Sequence, residues 1–452
     1  MHEAALRASV AAGHAVLVSG IAVGAGCMGL LLVKADFIHS IALGALLVVV
    51  SAVAATLTLL PVLLQCLGQR LNRPAVWRPA CHAASAASTA WRRWVAVIMQ
   101  QPWRALLLAL AIVIALATPA CRMTIASAGV GDLAPHFEAR RGFESLQRNF
   151  EAGWMGPVVL LIESPRGRSL LEERSQGAIR AIAARLENDP RVAQVGIDPR
   201  HALSPDATAA LLAVVTRHGP DSAAAFEFLN ALRADRWAEA SSAGLSVRIG
   251  GPTAMIADFD AELLGSLWRV IPAVLAVTFV VLLFAFRSVA IPLKAIALNL
   301  LSVMAAYGFL VLLFQDGIGA SALGITPPGG LNSLVVLMLF TILFGISMDY
   351  EVFMLRQVQE EYRRSGDNRR AVQAGLERSA SLITSAAAIM VVLFGSFGFT
   401  QFTATREFGF GLAFAIALDA TLIRLVLVPA LLELFGAANW WLPGWNQKER
   451  TT

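Results

Sequence analysis

Charge is scarce in this sequence. Only 15% of its 452 residues are Asp, Glu, Lys or Arg, against about 25% in soluble domains. With 57% hydrophobic side chains and a mean hydropathy of +0.65, an ordinary water-soluble domain is excluded. Cysteine is scarce too. Cys27, Cys66, Cys81 and Cys121 fall at no metal-ligand spacing and in no pairing pattern, so they read as free thiols in or near helices. No Walker motif is present, so ATP is not the energy source the sequence points to. No Ser/His/Asp or Cys/His constellation marks a hydrolase, and neither a cofactor nor a metal is expected. The first apolar run starts near Ala15, is too long for the core of a signal peptide, and is followed at once by a second.

The fold class these features imply is a polytopic α-helical membrane protein with one polar insert. Net charge is +5, unevenly placed: the stretch from Arg122 to Ser266 carries 15 Lys/Arg and 18 Asp/Glu, a balance of −3, which leaves +8 for the remainder. That excess lies where it sets orientation in a membrane, so no nucleic-acid partner is inferred.

Eight spans are expected. Residues 1–67 hold two, about His14 to Val33 and Ile41 to Leu67. A basic linker follows at 68–102, with Arg70, Arg73, Arg78, Arg92 and Arg93. A third span covers 103–121, the insert 122–266, a five-helix block 267–435 and a tail 436–452, where Trp440, Trp441 and Trp445 suit an interfacial belt. Span four is placed at Leu267–Phe286, span five at about Val289–Phe314, span seven at about Ser379–Phe399 and span eight at about Phe408–Phe435. An even number of spans puts both termini on one side. The Arg-rich loops share that side, so it is cytoplasmic and the insert extracytoplasmic.

The insert alternates strand and helix patterns. Residues 157–163, 192–197, 208–216 and 245–250 read as strands, and 169–187 and 222–240 as helices. The order β-α-β-β-α-β is a ferredoxin-like unit. Asp258, Asp260 and Glu262 form an acidic cluster read as a solvated face.

The stretch that organises the rest runs from Gly330 to Leu355. It is apolar enough to span a bilayer, yet it carries Asp349 and Tyr350 side by side. An ionisable residue at that depth marks an ion or proton path by default. Thr341, Gly345 and Asp349 share one helix face at i, i+4, i+8, a small-residue lane for a neighbouring helix. The plainer alternative is an acid that only locks two helices together. Tyr350 lies 100° round the helix from Asp349 and is expected to meet a second helix. On the last span, Gly411, Ala415 and Asp419 make a second small lane. Arg424, five residues on, falls about 140° away on an ideal helix, so it is expected to snorkel to the cytoplasm rather than pair with Asp419. Glu407 is expected to be interfacial.

The first two spans recur in the last two. Residues 5–13 and 16–22 lie over 371–379 and 382–388 at an offset of 366, and 59–68 over 427–436 at 368. Repeats of this kind are common in transporters. By that offset the counterpart of the Asp349 helix falls before Met1. The expectation is therefore the end of one repeat followed by a complete six-helix repeat, with a separate chain as a possible source of the first.

FGISMDYEVF (344–353), the EEYRR loop after it, REFGFGLAFAIALDATLIRLVLVPALLELFG (406–436) and ANWWLPGW (438–445) together resemble the MMPL family of RND-type exporters. The resemblance implies a twelve-helix, two-porter-domain transporter that uses the proton gradient to move lipids or hydrophobic drugs. This chain maps onto its C-terminal two-thirds. It places the family's Asp-Tyr pair on Asp349 and Tyr350 and a helix-five serine on Ser19, whose counterpart by the internal repeat is Ser385, with Thr384 adjacent. With Asp419, for which a helix-locking hydrogen bond is the alternative, these form the expected proton relay. Protons, a lipid or hydrophobic substrate and the inner membrane are the implied partners. A non-transporting scaffold or lipid-sensing remnant of the same fold is the alternative.

Overall fold

Backbone polar groups in hydrocarbon must be satisfied within their own segment, which leaves a long apolar run the helix. The computed structural model describes residues 13, 16, 17, 20, 21, 23–67, 93–127, 129, 133, 136–196 and 203–441. In chain order the elements are α1 (Val23–Leu32), α2 (Asp36–Leu67), α3 (93–100), α4 (Pro102–Ala117), α5 (Glu138–Asn149), β1 (Val158–Glu163), α6 (Glu173–Glu187), β2 (Val192–Gly196), β3 (Ala209–Thr216), α7 (Ala223–Ala234), α8 (Ala238–Ala243), β4 (Ser246–Gly250), α9 (Pro252–Phe286), α10 (Ala290–Leu310), α11 (Ser333–Ser365), α12 (Asn368–Ser396), α13 (Thr403–Leu418) and α14 (Val428–Phe435).

Among the described residues seven helical stretches are long and apolar enough to cross a membrane. They make this a polytopic membrane protein. They correspond to α2, α4, α9, α10, α11, α12 and the continuous run Thr403–Trp440. The expected first span is represented by α1, a shorter apolar helix. Several helices outrun the apolar windows that marked them. The fourth begins at Pro252, and α11 continues to Ser365. The chain turns there on Gly366, whose φ of 69° is a left-handed value suited to glycine. Asp367 then caps α12 by accepting from the N–H groups of Arg369 and Arg370. The cap starts α12 eleven residues before the apolar stretch, because helix ends follow caps rather than hydropathy.

The chain divides into two units: Ile125–Leu264 with Gln401–Ala404, and the remainder. In the first, a four-stranded antiparallel sheet has the order β2-β3-β1-β4. Val158, Leu160 and Ile162 alternate inward from β1 to meet Ile182 and Leu186 of α6 and Phe228 and Leu229 of α7. The helix expected over 222–240 is broken. The Asp235 carboxylate accepts from the Trp237 N–H at 2.8 Å, and Trp237 takes a left-handed φ of 48°. The break drops the Trp237 ring into the core with the Arg185 guanidinium over it, 4.9 Å from the centroid. Asp258 pairs with Arg233 at 2.7 and 2.8 Å, and Asp260 takes a short hydrogen bond from Ser127.

Candidate functional site: a buried polar cluster among the membrane helices

Small residues bring the helices of the membrane unit within backbone contact. A Cβ added at Gly26 of α1 would stand 2.8 Å from the carbonyl oxygen of Thr341, and one at Gly345 would stand 3.3 Å from Cα of Val23. The Thr341–Gly345 lane of α11 is therefore occupied by α1. Gly411 of α13 lies against Leu310 of α10 and Leu339 of α11. At its N-terminal end α11 is fixed by Asn332. The Asn332 side chain accepts from the N–H of Leu334 at 3.0 Å, and its own N–H donates to Glu407 at 3.0 Å. Glu407 is thus buried at 1% exposure rather than interfacial. Its carboxylate closes a cap inside the protein.

Between α13 and α14 the backbone changes register. Residues Asp419–Leu427 form a π-helical segment, closed by the Val428 N–H donating to Ile423, five residues back. Pro429 follows and has no N–H to give the carbonyl four residues earlier, that of Leu425. The Trp94 indole of α3 donates to that carbonyl at 3.2 Å. Such segments are rare and concentrate at functional sites.

The register change brings Asp419 and Arg424 together. On an ideal α-helix they would diverge, and the sequence reading kept them apart. With a turn closing on the fifth residue they share a face. Arg424 Nε donates to Asp419 Oδ2 at 2.9 Å, and Nη2 lies 2.7 Å from the same oxygen. The snorkelling expectation is overturned: Arg424 is 1% exposed. Nη2 also donates to the carbonyl oxygen of Ser347. The Ser347 hydroxyl lies 2.9 Å from Asp419 Oδ2 and 2.7 Å from Asn299 Oδ1 of α10, and its one proton serves either acceptor. Below the guanidinium lies the Tyr350 ring, centroid 5.0 Å from Cζ. The Tyr350 hydroxyl donates to the sulfur of Met390 on α12 at 3.2 Å. A guanidinium buried this deeply is tolerable only with its charge paired and its donors used.

Two ionisable residues that the sequence reading passed over border this group. Glu351 lies midway along α11 and is buried. It faces the Asn299 side chain, and Arg424, Asp419 and Lys294 are the charges around it. Lys294 of α10 is half-buried, contacts Asn439 Oδ1 and sits 4.4 Å from the Phe435 ring centroid. Both residues interrupt apolar runs, so the rule that singled out Asp349 also covered them. The Asp-Tyr pair drew attention from the acid two residues on.

The remaining expected relay residues are placed as follows. Asp349 falls on α11, and its side chain lies outside the described residues, as does Ser19. Thr384 and Ser385 sit on α12 and donate back to their own helix, Thr384 to the Ala380 carbonyl at 2.7 Å and Ser385 to Leu382 at 3.0 Å. Among the described contacts neither joins the Asp419 cluster. Trp440 is buried and stacks on Tyr362 at 5.2 Å, whereas Trp441 is exposed and Trp445 lies outside the described residues.

Residues 1–105 and 133–452 match the model of the MMPL family. The chain is 36% identical over 444 residues to the heme uptake protein MmpL11 of Mycobacterium tuberculosis, covering 98% of this chain and 45% of that protein. It is 34% identical over 442 residues to the mycolic acid-containing lipids exporter MmpL11 of Mycolicibacterium smegmatis, covering 98% and 46%. Identity to the trehalose monomycolate exporter MmpL3 of Mycobacterium tuberculosis is 26% over 480 residues, covering 99% and 50%. The chain spans about half the length of these relatives.

Proposed function

The chain belongs to the MMPL family, in the RND superfamily, and from that premise we propose that it works in proton-driven movement of lipids or other hydrophobic molecules across or out of the inner membrane. The observation that carries the reading is the buried Asp419–Arg424–Ser347 cluster, packed on the helix that bears Asp349. Charge inside a helix bundle is costly, and a network of this kind is what a bilayer-embedded proton path requires. Relatives named for lipid export supply the cargo class, and one named for heme uptake is named for another hydrophobic molecule.

In this reading Asp349 binds and releases the driving proton, with Tyr350, Asp419, Ser19, Ser385 and Thr384 as the other members of the relay. Eight spans place both termini in the cytoplasm, with 122–266 as an extracytoplasmic porter domain. The order β2-β3-β1-β4 supports a ferredoxin-like unit there. The basic stretches at 68–102 and 356–378 support the orientation.

The test is export of a fluorescent lipid from cells or proteoliposomes under an imposed pH gradient. Asp349→Asn abolishes export while the protein stays in the membrane. Wild-type export by that variant would overturn the reading.

A further inference from the structure

The two described carboxylates of the cluster are not equivalent. Asp419 is held by two nitrogens of Arg424 and lies within reach of Ser347. Its carboxylate balances that buried guanidinium, so Asp419 is committed to the pair. Glu351 is as deeply buried, yet among the described residues no ion pair closes on it. Instead it borders a void of about 10 Å³, lined by Lys294, Ile291, Leu298, Leu355, Val428 and Leu432 among others. That is room for about one water. Among the described residues one buried donor of the charges around Glu351, Arg424 Nη1, has no hydrogen-bond partner. Groups of this kind are ordinarily satisfied by ordered water.

We infer that Glu351 is a second proton-binding carboxyl, and that it exchanges its proton through the void with the membrane surface past Lys294 and Asn439. The inference rests on the proton-coupled reading above and adds the leg of the path that follows Asp349. Proton balance is simple. Glu351 takes one proton as a carboxylate, becomes neutral, and gives the same proton to water in the void. The carboxylate left behind faces Lys294 on α10 and Asp419 and Arg424 on the π-helical segment. Lys294 is positioned for this. Its ammonium contacts Asn439, which is itself anchored by its side chain donating to the Leu432 and Gly436 carbonyls at 2.7 Å. The side chain thus spans from the void toward the end of the helix bundle.

The decisive measurement is infrared difference spectroscopy of the full chain in lipid nanodiscs during a pH step. With Asp349 replaced by Asn throughout, so that it contributes no band of its own, a carbonyl band of a protonated, buried carboxylic acid is expected with Glu351 present and also in Asp419→Asn, and is lost in Glu351→Gln. In Lys294→Met the same band persists, but its proton–deuteron exchange is several-fold slower. Glu351→Asp keeps a carboxyl in place and keeps a band, which separates loss of the group from loss of the fold. An unchanged band in Glu351→Gln overturns the inference. Export separates it from the reading it rests on. Export by Glu351→Gln at the wild-type rate, with Asp349→Asn inactive, sinks the inference alone. Wild-type export by both variants sinks the reading as well.

Discussion

Each unit of the chain holds an aspartate beside an arginine, and the surroundings make them different interactions. In the unit built on the four-stranded sheet Arg191 grips Asp189 two residues earlier, at 2.9 and 2.7 Å, with side chains 43% and 21% exposed. Among the membrane helices Arg424 grips Asp419 at nearly the same distances, with side chains 2% and 7% exposed. Water screens the first pair and competes with it. The second is shut off from bulk water, so each partner is the other's main solvation. A contact list treats the two pairs alike, whereas burial makes one a surface detail and the other a requirement of the fold.

The largest effect that would break this comparison comes from Arg424→Met. It leaves Asp419 buried without its cation, at a cost of about 3–5 kcal/mol. Thermal unfolding of the purified protein in detergent should show a large loss. The double variant Asp419→Leu/Arg424→Met should recover most of it, since an apolar pair of similar volume is close to neutral. An unshifted single variant would mean that the pair is dispensable.

A middle-sized effect sharpens the contrast in how the helices are held. A Cβ at Gly308 of α10 would stand 1.9 Å from the Leu116 carbonyl oxygen of α4. Gly308→Val should cost at least about 1–3 kcal/mol, as overpacking does elsewhere. Cross-linking or limited proteolysis would report α4 and α10 moving apart. Normal packing in that variant would show that close approach is not what joins these helices.

The smallest effect is at Asp189. The Arg191 hydrogen bond holds its carboxyl below the usual carboxylate range. A depressed value stabilises the folded form above the ordinary carboxylate pKa of about 3.9. That contribution fades as pH falls through the lower folded value. Asp189→Asn should therefore weaken hydrogen-exchange protection around β2 by about 0.2–1 kcal/mol at neutral pH, the range of exposed pairs. The difference should vanish in strong acid. A difference that grew in acid would contradict the assignment.

Much of the architecture was legible because hydropathy and strand alternation are local. Val158, Leu160 and Ile162 could be assigned to one face of a strand from their spacing alone. The broken helix at Trp237 was not legible, because it depends on one Asp235 side chain capturing a backbone N–H and on a core that takes up the indole. The candidate site was half legible. Asp419 was marked by its depth, but its partner was rejected on ideal-helix geometry that the backbone does not follow. Glu351 and Lys294 were in plain view as charges within apolar runs. Nothing local says that they border one void.

The sequence by itself determined which segments leave water, since transfer free energy accumulates residue by residue along the chain. It also determined where the insert interrupts them and where positive charge gathers at their ends. Which charge faces which was decided only by the tertiary structure. Rotation about a helix axis depends on the backbone turn. At Asp419–Leu427 that turn is set with help from distant groups: a proline that withholds a donor, a tryptophan of another helix that takes the freed carbonyl, and a serine backbone that receives the arginine.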